Sequence, residues 1–239
     1  SGIAFYRGII VTTMNSHEIH SPTSFTREGV REVDKDAIEV FGMQSIVLME
    51  NAASGSAAVI EELCDKSSLK EILVVCGSGN NGGDGYAIAR HLHNHGYFVQ
   101  IAAISEPTSP DAIHNADIAK QMRIPIDRCS DGLFERASLI IDAIFGSGLN
   151  REVRDPYLPV IQTINDLSGK VVSIDIPSGL DCDTGQPHGI SVKADLTITF
   201  VGIKQGFLQE SASEYLGNIV VVDIGCPKQL LIKYGSPNT

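Results

Sequence analysis

The sequence is poor in the features that mark nucleic-acid-binding, disulfide-linked and membrane proteins. Its 18 lysine and arginine residues are outnumbered by 29 aspartate and glutamate residues, so the net charge is −11 at pH 7. General binding to nucleic acids or membrane surfaces requires basic patches, so we expect neither partner. The five cysteines are an odd number without a CxxC pair, which indicates neither a disulfide framework nor a zinc site. No apolar run approaches the length needed to cross a membrane.

The N-terminal residues and the cysteine pattern favour a reducing compartment, and we predict a cytoplasmic protein. Residues 1–22 lack the charged-then-apolar layout of a secretory signal. An organelle-targeting segment ahead of residue 1 stays an alternative. Ser1-Gly2 resembles a remnant of cloning, residues 1–24 are predicted to be an extended N-terminal arm, and residues 25–239 are predicted to be a single domain.

Near-continuous apolar runs alternate with helical segments along the chain. Runs of this length without polar alternation are typical of strands buried on both faces. They lie at Ile72–Val75, Phe98–Ile104, Leu139–Ile144, Val171–Ile176, Leu196–Val201 and Ile219–Ile224. Helices are predicted at about 26–41, 45–63, 84–95, 111–122 and 156–167. This alternation predicts an α/β fold, with a mainly parallel sheet and helices on both of its faces.

The segment Gly77–Gly85 connects the first apolar run to a helix and contains five glycines. Its Gly77-x-Gly79-x-x-Gly82 spacing matches the dinucleotide fingerprint, a weak signal when alone. Asp84 places a carboxylate where a phosphate would otherwise bind, and two anions repel each other. Asp84 is therefore predicted to cap the helix, hold a hydroxyl or face a cation. The plainest structural alternative is a tight turn with Asp84 at the N-cap.

Carboxylates also occur at the ends of two later apolar runs, at Asp142 and Asp175. The carboxyl ends of parallel strands meet at one edge of a sheet, so we expect these side chains to converge with Asp84. Burying Asp142 unpaired would cost on the order of several kcal/mol, so it needs a cation or several donors. With Asn81 and Ser178 nearby, the oxygen-rich set suits an alkali or alkaline-earth cation.

Four segments together resemble the YjeF N-terminal domain family, over roughly residues 25–230 and in the family's order. They are Leu48-Met49-Glu50-Asn51-Ala52, Asn80-Asn81-Gly82-Gly83-Asp84-Gly85, Asp142-Ala143-Ile144-Phe145-Gly146-Ser147-Gly148 and Ser173-Ile174-Asp175-Ile176-Pro177-Ser178-Gly179. The resemblance implies a Rossmann-like three-layer αβα sandwich, a homodimer and one bound K⁺ per subunit. It implies an epimerase that interconverts the R and S forms of NADHX and NADPHX, the nicotinamide cofactors hydrated at C6. A separate NAD(P)HX dehydratase would be its functional partner.

The resemblance also implies the residues of the site. The substrate would contact Asn80, Asn81, Gly82, Gly83, Asp84, Gly146, Ser147, Gly148, Leu149, Asn150, Arg151, Glu152 and Asp175, and K⁺ would be held by Asn81, Asp142 and Ser178. Epimerisation at C6 requires either that the hydroxyl leaves and returns or that the ring opens and closes. Both routes move protons, and we predict that Asp175 is the acid–base group. Lys204, at a further strand end, is predicted to assist electrostatically.

Two other functions remain alternatives at this point. Some relatives of the fold serve as interaction modules, for instance in mRNA decapping scaffolds, so the chain could be a catalytically silent nucleotide-binding or protein-interaction module. A nicotinamide-dependent dehydrogenase would need an acidic residue after the next strand, where Glu106 could hold the ribose. That scheme leaves Asp84 and the oxygen cluster without a role.

Overall fold

A computed structural model of the protein describes residues 2–6, 9–14, 23–63 and 71–237, so Ser1 and Cys64 lie outside the described residues. The helices are α1 Arg27–Glu39, α2 Ser45–Leu63, α3 Asn80–Asn94, α4 Pro110–Gln121, α5 Asp131–Phe134, α6 Tyr157–Asp166, α7 Ser213–Leu216 and α8 Lys228–Tyr234. The strands are β1 Gly2–Tyr6, β2 Ile9–Met14, β3 Thr23–Phe25, β4 Ile72–Cys76, β5 Val99–Ala103, β6 Ile126–Arg128, β7 Leu139–Ala143, β8 Lys170–Ile174, β9 Leu196–Phe200, β10 Ile203–Lys204, β11 Asn218–Val222 and β12 Ser236–Pro237. Two short 3₁₀ helices span Gln205–Leu208 and Glu210–Ala212.

Nine strands form one mainly parallel sheet, in the order β1-β2-β11-β9-β8-β7-β4-β5-β6. Only β1 runs antiparallel, against β2, within this sheet's described pairings. A second, small sheet has the order β10-β3-β12. The predicted mainly parallel sheet is confirmed.

The central strands are covered on both faces, which produces three layers. In β4, Ile72, Val74 and Cys76 pack in a core with side chains of α1 to α4. Leu73 and Val75 point to the opposite layer and pack in a second core with residues of α5 and α6. Successive side chains of a strand alternate between faces, so an unbroken apolar run serves both cores. The predicted αβα sandwich is thereby confirmed.

The N-terminal segment contributes strands to the main sheet. β2 pairs in parallel with β11, and Ile9–Met14 is rich in β-branched residues, which favour strands. The sequence predicted an arm over residues 1–24, but its β1 and β2 extend the sheet at the β11 edge, which would otherwise leave backbone groups unpaired. The boundary after residue 24 falls inside β3. The assignment of residues 25–239 to one domain stays a prediction.

The direction of chain progression reverses between β4 and β7. From β4 the chain moves outward through β5 to β6, and it then returns to pair β7 on the other side of β4. Gly77, just after β4, donates its amide to the carbonyl of Ala143 at the end of β7 (3.1 Å). Such a switch point opens a crevice at the carboxyl ends of the two strands, where ligands bind in open α/β sheets.

Among the described residues, none of the helices has the length and apolar character required to cross a membrane.

Candidate active site

A cleft of ≈ 610 Å³ opens at this switch point. It is bordered by the loops that follow β4, β7, β8 and β9 and by residues of α1 and α2. Ten of the predicted substrate residues line it, namely Asn80, Asn81, Asp84, Gly146, Ser147, Gly148, Leu149, Asn150, Arg151 and Asp175. The structure therefore brings the predicted residues from separate strand ends together at one cleft.

Three predicted substrate residues do not line the cleft. Gly82 and Gly83 are buried within α3, and Glu152 is exposed beside Arg154, with 3.5 Å between Arg154 Nη2 and Glu152 Oε2. Glu106, the acidic residue that a dehydrogenase would use, is exposed and is also absent from the cleft lining.

Asp175 and Lys204 form a buried ion pair at the floor of the cleft. Lys204 Nζ lies 2.8 Å from Asp175 Oδ1, and the lysine side chain is 0% exposed. The same ammonium donates to Thr199 Oγ1 (2.9 Å) and to the Phe200 carbonyl (2.8 Å). Burial alone would raise the pKa of Asp175, but Lys204 and the Ser147 amide hold it below the ordinary value. Asp175 is therefore a carboxylate at neutral pH, and Lys204 has all three protons engaged.

The backbone aims the Asp175 side chain toward the glycine loop after β7. Asp175 adopts φ 66°, a left-handed conformation uncommon for a residue other than glycine. The Ser147 amide donates to its Oδ2 (2.7 Å). A Cβ on Gly146 would lie 2.9 Å from the same oxygen. Only glycine at position 146 lets the loop approach this closely.

Asp142 is fully buried behind the cleft and is satisfied by neutral donors. It accepts hydrogen bonds from Ser173 Oγ (2.8 Å), from the Ser178 amide and hydroxyl (2.9 and 2.5 Å) and from the Ile144 amide (3.3 Å). Burial raises the pKa of Asp142, and these hydrogen bonds oppose the rise. Ser178 Oγ in turn accepts from the Phe145 amide (2.9 Å). The predicted pairing of Asp142 with several donors is found, without a cationic side chain among its hydrogen-bond partners.

Asn81 is the buried polar group of the cleft that lacks partners. It is 8% exposed, and neither its Oδ1 nor its Nδ2 has a hydrogen-bond partner among the described residues. Its Oδ1 lies 3.4 Å from where a Cβ on Gly146 would be placed. Buried polar atoms are normally satisfied, so this amide is suited to hold an ion or a ligand.

Asp84 does not cap α3, contrary to one of the options predicted for it. The helix begins four residues earlier, at Asn80, with Gly79 at the N-cap and no side-chain cap. The Gly83 amide already donates to the Gly79 carbonyl (3.1 Å), so the helical ladder is established before Asp84. The N-terminal end of α3, which lacks a side-chain cap, lies at the cleft, since Ser78 to Asn81 line it, and such an end suits an anionic group.

Four charged residues at or beside the cleft were not predicted, namely Arg27, Arg31 and Asp34 of α1 and Asp111 of α4. Asp34 lines the cleft mouth, where desolvation and then the Asp175 carboxylate raise its pKa to about 6, against the opposing charge of Lys204. The sequence feature that could have indicated Asp34 is its position between Val30 and Ile38. These apolar residues lie four positions before and after it, on the same face of the helix. Arg27 donates from Nε to the Ser147 carbonyl (3.1 Å) and pairs with Asp181. No sequence signal connects Arg27 to a loop 120 residues away.

Glu50 and Asn51 brace the packing of α2. Glu50 pairs with Arg90 (3.1 Å) and contacts His91 Nε2 (2.8 Å). Asn51 donates to the Ile224 carbonyl (2.9 Å). Neither side chain lines the cleft.

Comparison with known proteins agrees with this arrangement. The chain is 42% identical over 203 residues to the NAD(P)H-hydrate epimerase of Limosilactobacillus reuteri (strain ATCC 55730 / SD2112), covering 83% of this chain and 93% of that protein. It is 38% identical over 211 residues to the bifunctional NAD(P)H-hydrate repair enzyme Nnr of Pyrobaculum aerophilum, covering 84% of this chain but 42% of that protein.

The crystal structure of yeast ynu0, YNL200c, has the same fold, with a TM-score of 0.78 and 23% sequence identity over 90% of this chain and 95% of that chain. The family model of the YjeF-related protein N-terminus matches residues 45–206, which is more than half of the sequence. The chain therefore belongs to the YjeF N-terminal domain family.

Proposed function

We propose that the protein is an NAD(P)H-hydrate epimerase that interconverts the R and S forms of hydrated NADH and NADPH. The observation that carries this proposal is the buried Lys204–Asp175 pair, which faces a cleft lined by both glycine loops. The identity to a named epimerase over most of both chains supports it. The catalytically silent alternative would not require a carboxylate held charged at the floor of the cleft.

The chain's own residues have distinct tasks in this reaction. The uncapped amides at the start of α3 would bind the pyrophosphate. The loop at Gly146 to Gly148 would close around the nicotinamide side. Asp175, kept as a carboxylate by Lys204 and the Ser147 amide, would accept the proton that water releases as it adds back to C6. Lys204 would stabilise that charge without contacting the substrate, since its protons are all engaged.

A potassium ion, one per subunit, fits the residues behind the glycine loops. Asp142 is a buried carboxyl whose described hydrogen-bond donors are all neutral, and the Asn81 amide lacks partners among the described residues. We propose that Asn81, Asp142 and Ser178 hold the ion, which would supply a positive charge that fixes the loops. K⁺ should then raise the melting temperature of the free protein more than Na⁺ or choline does at equal ionic strength. Equal melting temperatures in the three salts, or an unchanged K⁺ response in Asn81→Ala, would refute the site.

The proposed partner is an NAD(P)HX dehydratase, because a relative that the chain covers in part is a bifunctional repair enzyme. We also propose a homodimer in the cytoplasm. Free Cys76, Cys129, Cys182 and Cys226 are consistent with a reducing compartment.

A coupled assay tests the function. R-NADHX is supplied with an S-specific dehydratase, and the formation of NADH is followed with and without K⁺. The wild type should accelerate the coupled reaction, and Asp175→Asn should lower kcat by about 10²–10⁴-fold. Asp195→Asn is the matched control, since Asp195 is an exposed aspartate near the opposite ends of β8 and β9, where it accepts from the Val171 amide (2.8 Å). Absence of epimerisation by the folded wild type would refute the function, and near-normal turnover by folded Asp175→Asn would remove Asp175 from its role.

A further inference from the structure

Asp84 makes no hydrogen bond or ion pair with any other described residue, although it lines the cleft from the second turn of α3. Asn81, one turn earlier on the same helix, is 8% exposed and also lacks partners within the described chain. A structural carboxyl or amide at such a position would have donors or acceptors around it. Asn81 is assigned above to the ion, so the half-buried Asp84 carboxyl is the group on this side of the cleft that is free to contact the substrate.

The groups that face Asp84 are other carboxyls. Asp34 approaches from α1, Asp111 from α4 and Asp175 from the end of β8, whereas α2 presents no titratable side chain to the cleft. Desolvation, followed by these three carboxyls, raises the pKa of Asp84 well above its ordinary value. The cleft also contains Arg31, which is 71% exposed and near Glu28, and Arg151, which is exposed at the rim.

The pKa of Asp175 is shifted in the opposite direction although this carboxyl faces the same cleft. Burial raises the pKa of both carboxyls, but only Asp175 is contacted by Lys204 and by the Ser147 amide. The pKa of Asp84 is thus raised and that of Asp175 is lowered, although both carboxyls lie at one cleft. A pair of carboxyl groups whose environments separate them in this way can divide the roles of acid and base.

We propose, given the epimerase function above, that Asp84 is the proton donor and Asp175 the proton acceptor of the reaction. In the first step the bond between C6 and its oxygen breaks, and the electron pair leaves with the oxygen. That oxygen takes the Asp84 proton and departs as water. The lone pair of the ring nitrogen forms a C=N bond to C6, so the positive charge resides on the ring.

In the second step a water molecule adds to the opposite face of C6. Its oxygen forms the new bond to C6, the π pair of the C=N bond returns to the nitrogen, and Asp175 takes the proton that the added water releases. The proton then passes from Asp175 back to Asp84 through water in the open cleft. Atoms and electrons balance without an oxidant or reductant. In the reverse reaction each group acts on the same face of C6 with its role exchanged. Asp175 donates the proton to the leaving oxygen, and Asp84 accepts the proton from the water that adds.

The test compares Asp84→Asn with the wild type and with Asp117→Asn, a matched change at an exposed aspartate on α4. Asparagine keeps the size and neutrality of a protonated aspartate but cannot give up a proton as an acid. Asp84→Asn should lower kcat by about 100-fold or more, while KM changes by less than about threefold. The wild type should lose kcat/KM at high pH as Asp84 deprotonates, and this limb should be absent from the residual activity of Asp84→Asn. Asp117→Asn should match the wild type.

A merely structural or substrate-binding role for Asp84 would raise KM or reduce activity without moving the high-pH limb, and either result overturns the proposal. Unchanged kcat in Asp84→Asn overturns it as well. If wild-type turnover is absent, the epimerase function itself fails, so the two failures are distinct. Should Asp84→Asn not fold, carboxyl ¹³C titration of the wild type decides, because Asp84 must remain protonated at pH 7. A charged Asp84 at that pH refutes the assignment.

Discussion

Replacing Lys204 with methionine should destabilise the fold by about 3–5 kcal/mol, because breaking a buried ion pair leaves an uncompensated charge. Lys204 is 0% exposed and lies 2.8 Å from Asp175. Its two further hydrogen bonds, to Thr199 and Phe200, are lost in the same change. Methionine fills a similar volume, so the loss reports on charge and hydrogen bonding more than on a cavity.

The destabilisation caused by Lys204→Met should depend on pH. In the wild type the folded-state pKa of Asp175 is lowered, so its contribution to stability is present above the unfolded pKa and is lost as the pH falls through the folded one. Without Lys204, burial would raise that pKa, and the carboxyl would then favour folding only when protonated. The destabilisation should therefore be larger at pH 7 than at pH 4.

Urea unfolding at both pH values measures the effect. Lys193→Met is the matched control, since Lys193 and Glu214 form a pair at 3.2 Å with both side chains more than half exposed, which is worth about 0–1 kcal/mol. The double variant Lys204→Met/Asp175→Asn should recover roughly 2 kcal/mol of the loss, because no unpaired charge remains. A loss under about 1 kcal/mol for Lys204→Met, or no recovery in the double variant, would refute the reasoning.

Three further outcomes are expected. Gly77→Ala should lower stability by roughly 1–3 kcal/mol in urea unfolding, because its Cβ would lie 2.1 Å from the Ile144 carbonyl oxygen. A variant as stable as the wild type would show that the backbone moves to accommodate the methyl group. The Asp34 pKa, raised to about 6, makes wild-type stability fall as the pH rises toward 6, so Asp34→Asn should be more stable at pH 7 by at most about 1 kcal/mol after solvent screening. That gain should vanish below pH 4 in calorimetry, and an equal gain at both pH values would contradict it. Arg27→Ala should raise KM and lower the melting temperature because Ser147 and Asp181 lose its donors. Arg128→Ala, at an exposed position of β6 outside the cleft lining, should do neither.

Six strands, namely β4, β5, β7, β8, β9 and β11, were predictable because they lie in near-continuous apolar runs, whereas the short and largely exposed β6 has no such run. The run at Leu139–Ile144 ends one residue beyond β7, and that at Leu196–Val201 ends one residue beyond β9. The start of α3 was placed at Asp84 instead of Asn80. Its first turns consist of asparagine and glycine, which have weak helix propensity, and tertiary contacts override that preference.

The chemical site was predictable only where a strand end carries it. Asp142 and Asp175 stand out as carboxylates within apolar runs, and the topology then brings them to the same edge. Asp34 lines the cleft and Arg27 binds the Ser147 carbonyl of the glycine loop because α1 packs beside both, a placement that depends on three-dimensional packing. The strands β1 and β2 likewise depend on the open edge of β11.

The left-handed backbone at Asp175 recurs at Val201, where φ is 67°, and both residues line the cleft. A β-branched residue in this region is strained, on the order of 1–3 kcal/mol. Glycine at position 201 would relieve that strain, and it would also make the turn that precedes Lys204 more flexible. A screen for variants with higher melting temperatures should therefore recover substitutions at Val201 that raise the stability of the fold and lower the catalytic activity. Stability and turnover would then oppose each other at this turn.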